Sequence, residues 1–263
     1  MLPNRVERDK LTSMLHWYPK AKDLAPTPRT VFVETPTTRM GLYLDDGPDL
    51  PVDFTKKLYA AADAIGYPLF MRTDLTSGKF EWKTTCYVPA KKSLLTNMYR
   101  LLEYTEMVSL IGMPTRAIVF RELLKLDTGF TAFMGMPVAK ERRYFVRDGK
   151  LVCHHPYWPT QAILKWALSQ ARCGIKTELP SNWQEILQAK NAEDPAEVAQ
   201  LTELSEKVGK ALGGFWSIDF AYVPAEAKWY LIDAAMGIDS FHPSTCPHCP
   251  KEVKAEMAAE EQE

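Results

Sequence analysis

Four short stretches of this chain combine residue types that can do chemistry. The first is Arg72-Thr73-Asp74-Leu75-Thr76-Ser77-Gly78-Lys79-Phe80-Glu81-Trp82-Lys83, where a strand ends on a cation and a small polar loop leads to two more cations four positions apart. A compact polyanion such as triphosphate needs several positive groups converging beside the backbone N–H groups of a Gly/Ser turn. A solvated charged loop is the plainer reading of the same residues. The second stretch is Glu141-Arg142-Arg143-Tyr144-Phe145-Val146. On a strand, alternate side chains share a face, so Glu141, Arg143 and Phe145 point one way and Arg142 and Tyr144 the other. Charges on an apolar, core-facing side are rare unless paired or functional. A cross-strand salt bridge is the structural alternative.

The third feature is a pair of acids, Asp219 in W-S-I-D-F-A-Y and Asp233 in W-Y-L-I-D-A-A. Two carboxylates brought together at strand ends repel unless a cation sits between them, and Mg²⁺ takes such hard oxygen ligands alongside phosphate oxygens and water. The competing reading has one Asp capping a turn and the other bonding backbone amides. The fourth stretch is Phe241-His242-Pro243-Ser244-Thr245-Cys246-Pro247-His248-Cys249. Its C-x-x-C pair is half of a zinc site, with His242 and His248 as nearby candidates, a redox-active pair, or an ordinary turn. His154 and His155 end a strand, and His154 could share a cavity with Glu141. No Ser/His/Asp or Cys/His set has a spacing that assigns a nucleophile.

Positioning these groups requires both helices and sheets. Strands are expected over residues 30–34, 67–72 and 117–124. A strong Asp148-Gly149 turn signal makes 142–147 and 150–155 a hairpin. Residues 215–222 and 228–233 form a second pair. Helices are expected over 11–18, over 54–62 with Asp53 as N-cap, over 91–110 and 161–171, and over 195–212 with Asp194 as N-cap. The Glu/Ala-rich tail after Pro250 should fray. The mixture of helices with antiparallel pairs is α+β.

Composition narrows the class. In 263 residues, 46% are hydrophobic and 25% charged, enough for a packed core. Lys+Arg 32 against Asp+Glu 33 leaves a net charge of −1, so general nucleic-acid binding is not expected. No apolar run approaches the roughly 20 residues that span a bilayer, and the first residues lack an apolar leader. A cytoplasmic protein is expected. No G-x-G-x-x-G follows a strand and no G-x-x-x-x-G-K-[ST] is present, which removes the dinucleotide and Walker-loop readings.

In order, these segments resemble the divergent ATP-grasp family, in the clade marked by one Arg and two Lys phosphate-binding residues. The stretch from Tyr67 to Trp82 looks like its phosphate segment. V-F-R-E-L-L looks like the strand into its adenine hinge, E-R-R-Y-F-V like its E-F-R-x-F-V, and W-S-I-D-F with W-Y-L-I-D like its paired metal-ligand strands. The resemblance is also to cell-division-cycle ATP-grasp proteins that assist assembly of a translation initiation factor. It implies an ATP-grasp fold of two α+β subdomains, with a short N-terminal segment over 1–55. A small nucleotide-clasping subdomain would cover 56–125, a catalytic and metal-binding subdomain 126–245, and a tail 246–263.

By the same resemblance, Arg72, Lys79 and Lys83 would bind the phosphates of ATP. Glu122 and Leu123 would sit at the adenine hinge, with Asp127 at the ribose. Glu141 and Arg143 would line the catalytic cleft, and Asp219 and Asp233 would hold Mg²⁺. The implied activity is ATP- and Mg²⁺-dependent ligation of a carboxylate to an amine through an acyl phosphate, with a small-molecule or peptide substrate. The alternative is an ATP-binding assembly factor without turnover, acting on a protein partner. One position departs from the pattern: the family usually has Asn two residues after the second acid, and here it is Ala235.

Overall fold

A computed structural model describes residues 4–108, 114–244 and 246–260. In chain order the elements are α1 (Arg5–Thr12), α2 (Met14–Ala21), β1 (Thr30–Glu34), α3 (Val52–Ile65), β2 (Leu69–Thr73), β3 (Tyr87–Val88), α4 (Leu94–Val108), β4 (Ala117–Glu122), β5 (Thr128–Ala132), β6 (Met136–Ala139), β7 (Glu141–Arg147), β8 (Lys150–Pro156), α5 (Thr160–Arg172), α6 (Trp183–Asn191), α7 (Pro195–Leu212), β9 (Phe215–Val223), β10 (Lys228–Met236) and α8 (Lys251–Glu260). The fold is α+β with antiparallel sheets. The chain forms two compact units, each built from separated segments. Among the described residues no helix is long and apolar enough to cross a membrane.

The first unit takes in Met1–Leu15, Pro28–Leu124 and Phe133–Met136. Its sheet has the order β1-β4-β2-β3. One face carries Val31, Val33, Leu69, Met71, Ile118 and Phe120, which pack with Phe54, Leu58, Leu94, Met98 and Leu101 of α3 and α4. The opposite face carries Phe70, Arg72, Val119 and Arg121, as the β2–β4 register requires. Asp74 knots this unit together: its carboxylate accepts from Ser13 Oγ at 2.7 Å and from the N–H groups of Arg116 and Ala117.

The second unit takes in His16–Thr27, Lys125–Ala132 and Pro137–Glu263. Its main sheet has the order β10-β9-β7-β8, so β7 and β9 are central and β8 is an edge. α7 covers one face, and Gly209 lets it come close to β7: a Cβ there would press on Val146. On the other edge, the Leu231 N–H of β10 donates to the carbonyl of Pro26 at 2.8 Å.

Several local expectations are corrected. The opening helix is two helices broken at Ser13, whose side chain is drawn to Asp74. Asp53 lies in the first turn of α3, where it meets the positive end of the dipole, and Pro51 is the N-cap. The helix expected from residue 91 begins with a single tight turn, and its last expected residues, 109–110, lie outside the described residues. The tail is the helix α8, anchored by buried Met257 and by a Glu256–Arg147 ion pair. α6 and the β5–β6 pair were not anticipated.

Candidate functional site

In the first unit, Arg72 sits on β2 with 4% exposure, and its Nε donates to the carbonyl of Thr73 at 3.1 Å. Arg121, equally buried, shares that sheet face and is a cation the sequence reading did not select. The loop after β2 is internally braced. Thr73 Oγ1 accepts from the Thr76 N–H, and Gly78, at φ +60, turns the chain into the short helical turn that carries Lys79. Thr85 Oγ1 donates to the Gly78 carbonyl at 2.7 Å. Trp82 lies against Phe70 and stacks on Tyr87. Lys83 is exposed, with its stem running past Gly135. Lys79 and Lys83 are thus held on an ordered loop, while Arg72 is held by its strand. Glu122 ends β4 with its carboxylate on Arg29, at 2.8 Å to Nε, and its N–H on the Arg29 carbonyl. Leu123 follows directly.

In the second unit the register aligns one row across all four strands. Asp233 opposes Asp219, Asp219 opposes Arg143, and Arg143 opposes His155. Directly opposed residues share a face. An extra residue, Ile232, sits in a bulge between Leu231 and Asp233, and this local irregularity re-aims the acid toward Asp219. Arg143 grips Asp219 with two bonds, Nε to Oδ1 at 2.7 Å and Nη2 to Oδ2 at 2.8 Å. Its Nη1 donates to the Phe241 carbonyl, and the guanidinium lies over the Tyr157 ring. Burial alone would lower the Arg143 pKa, but the charge and hydrogen bonds of Asp219, with Tyr157 and Asp233, outweigh it and raise it. His155 adds no positive charge: burial, reinforced by Arg143 and His242, pushes its pKa down to about 4.

The row therefore sets one guanidinium against two carboxylates. That charge balance and the hard oxygen donors of Asp219 and Asp233 suit Mg²⁺, since each carboxylate oxygen offers more than one lone pair. In the next row Ala235 opposes Ser217, whose Oγ meets Ser240 Oγ at 2.6 Å. A serine hydroxyl thus stands beside Ala235.

The remaining expected residues have defined partners. Glu141 is buried and accepts from Trp158 Nε1 at 3.0 Å. Asp127 pairs with Lys190. His154 lies on the face opposite Arg143, where its Nδ1 meets Glu193 at 2.8 Å, because residues adjacent on a strand point to opposite sides. Arg142, fully buried, is the neighbouring arginine on β7 and bonds Glu197 on α7. At the edge beside β8, Cys249 and His242 come together with Cys153, whereas His248 stacks on His154 on the other face. Cys153 was not selected from sequence. The available signal was its i, i+2 spacing to His155 on one strand face.

A family model described as an ATP-grasp domain, family 3 of the clade marked by one Arg and two Lys residues, matches residues 39–249. Comparison with curated proteins returns no match. Among solved structures the chain is similar to C-terminally truncated Cdc123 from Schizosaccharomyces pombe, at 12% identity and a TM-score of 0.58, covering 90% of this chain and 87% of that one. It is also similar to the VanG D-Ala:D-Ser ligase from Enterococcus faecalis, at 12% identity and a TM-score of 0.52, covering 96% of this chain and 61% of that one. At such identities the likeness concerns the fold.

Proposed function

Since the chain belongs to the third family of ATP-grasp domains in the one-Arg, two-Lys clade, we propose that it is an ATP- and Mg²⁺-dependent carboxylate–amine ligase. The observation that carries this reading is the aligned row Asp233–Asp219–Arg143, an anion-binding group beside two hard-oxygen ligands. Asp219 and Asp233 would hold Mg²⁺, which would supply charge neutralisation at the transferring phosphoryl group. Arg72, Lys79 and Lys83 bind the phosphates, with Glu122 and Leu123 at the base and Asp127 at the ribose. Arg143 orients an anionic group, either the acceptor carboxylate or the terminal phosphate, and Trp158 holds Glu141, two residues earlier on the same strand, in place. The reaction class is activation of a carboxylate by phosphoryl transfer, then attack by an amine. It needs no protein nucleophile, and catalysis rests on positioning and charge. The substrate is a small molecule or peptide bearing the acid and amine.

A second reading, ATP binding without turnover in the service of a protein partner, is favoured by Ala235, which offers no metal ligand, and by the engagement of both Asp219 oxygens with Arg143. One experiment separates the two. The purified chain is incubated with ATP, Mg²⁺ and pools of acids and amines, and ADP is measured. ADP release that requires both an acid and an amine supports ligation. Tight ATP binding with no such release supports the second reading. No ATP binding at all overturns both.

A further inference from the structure

The loop after β10 returns to the sheet edge at β8 and brings sulfur and nitrogen donors together there. The Cys153 Sγ, the Cys249 Sγ and a ring nitrogen of His242 all lie within 4.8 Å of one another. Cys153 Sγ is 3.4 Å from His242 Nε2. A zinc ion with its usual bond lengths, about 2.3 Å to sulfur and 2.0–2.1 Å to nitrogen, gives a tetrahedral S–N edge of about 3.6 Å. The observed separation is close to that edge. Cys246 completes the set. It is the other half of the C-x-x-C turn, buried, with its Sγ donating to the His154 carbonyl on β8 at 3.5 Å; the C-x-x-C spacing lets both sulfurs reach one metal.

The four donors come from three places in the chain: β8, the residue His242 and the C-P-H-C turn. Cys153, Cys246 and Cys249 are all buried, and every cysteine is a free thiol. The neighbouring trio of His154, Glu193 and His248 is the weaker candidate, because the His154 Nδ1 is already bonded to Glu193 and the two rings stack at 4.3 Å.

We propose that Cys153, His242, Cys246 and Cys249 form a closed structural zinc site that clasps His242 and the Cys246–Cys249 turn to β8. Three thiolates and one neutral imidazole fill the four positions of Zn²⁺, so the site leaves no place for substrate and is not catalytic. Binding releases the protons of the thiols that deprotonate. The site also fixes the segment whose Phe241 carbonyl accepts from Arg143. It stands independently of nucleotide binding.

The test uses the full chain, purified without a histidine tag, chelator or added zinc. Metal analysis is expected to find about one zinc per chain. Titration of the wild-type thiols with a mercurial is expected to release that zinc in step with about three thiols. After exchange to cobalt, the thiolate-to-metal charge-transfer band should fall by about a third in Cys153→Ser and rise by about a third in His242→Cys, while Cys173→Ser leaves it unchanged. Wild-type protein purified without zinc and unable to take up cobalt would overturn the site. So would a disulfide among Cys153, Cys246 and Cys249, or an unchanged band in Cys153→Ser. The two wild-type measurements decide the matter even where a variant fails to fold.

Discussion

Arg142 and Arg143 are neighbours on one strand, both held by carboxylates, and they serve opposite sides of the sheet. On the α7 side, Arg142 is sealed. Nε meets Glu197 at 2.6 Å, Nη1 donates to the carbonyls of Glu141 and Lys190, and Nη2 donates to that of Ala192. Lys140 takes the other Glu197 oxygen. The donors are spent on tying β7 to the end of α6 and the start of α7. On the other side, Arg143 spends its donors on Asp219 and a single carbonyl, with a second carboxylate in the same row. A cation whose bonds go to backbone carbonyls is architecture. A cation facing more than one acid in an aligned row is available for chemistry.

The contrast can be broken by stability measurements. Arg142→Ala removes one of the two cations on buried Glu197 together with donors to the carbonyls of Glu141, Lys190 and Ala192, and denaturant unfolding should show a loss of about 3–5 kcal/mol. Arg143→Ala should cost less, because fewer groups lose partners. Equal losses would erase the distinction between the faces. Asp233→Asn sharpens it: Mg²⁺-dependent ATP binding, read by calorimetry, should weaken roughly 10–100-fold, with the unfolding midpoint barely moved. Unchanged affinity would remove Asp233 from the metal site. Lys79→Ala is a pure ligand test in the first unit. Affinity for ATP should fall roughly tenfold while that for adenosine holds, since a lysine point charge is spent on phosphate. Parallel losses for both would assign Lys79 elsewhere. The smallest effect belongs to the sealed face again. Asp194 caps α7 by accepting from the N–H groups of Ala196 and Glu197, and Asp194→Ala should cost about 1 kcal/mol with no change in nucleotide affinity. A change in affinity there would mean the two faces are coupled.

Local signals were legible where the physics is local. Asp148-Gly149 gave the β7–β8 hairpin, with both residues at positive φ, and Asp194-Pro195 gave the start of α7. The α+β class followed from the order of such elements. What stayed hidden depends on partners far along the chain. Ser13 breaks the opening helix for a carboxylate 61 positions away. α6 has an N-cap residue, Asn182, whose side chain makes no capping bond, so its start carried a weak signal. For the site, alternation along E-R-R-Y-F separated the two arginines, but nothing nearby named Glu197 as the partner of Arg142. The bulge at Ile232 is equally silent: counting by twos from Leu231 puts Asp233 on the α7 side, whereas the extra residue returns it to Asp219. Cys153 lay too far from the C-x-x-C turn for spacing to join them.

The bond between Pro26 and Leu231 has a consequence for synthesis. The stretch His16–Thr27 belongs with the second unit, yet the strand that claims it emerges from the ribosome about 200 residues later. At translation speeds of about 5–20 residues per second, that is a wait of roughly 10–40 s. During it the nascent chain carries an early segment whose docking surface has not yet been made. Neither unit can be finished as a contiguous fragment, and a cut near residue 28 would strip β10 of an edge partner rather than release an independent half.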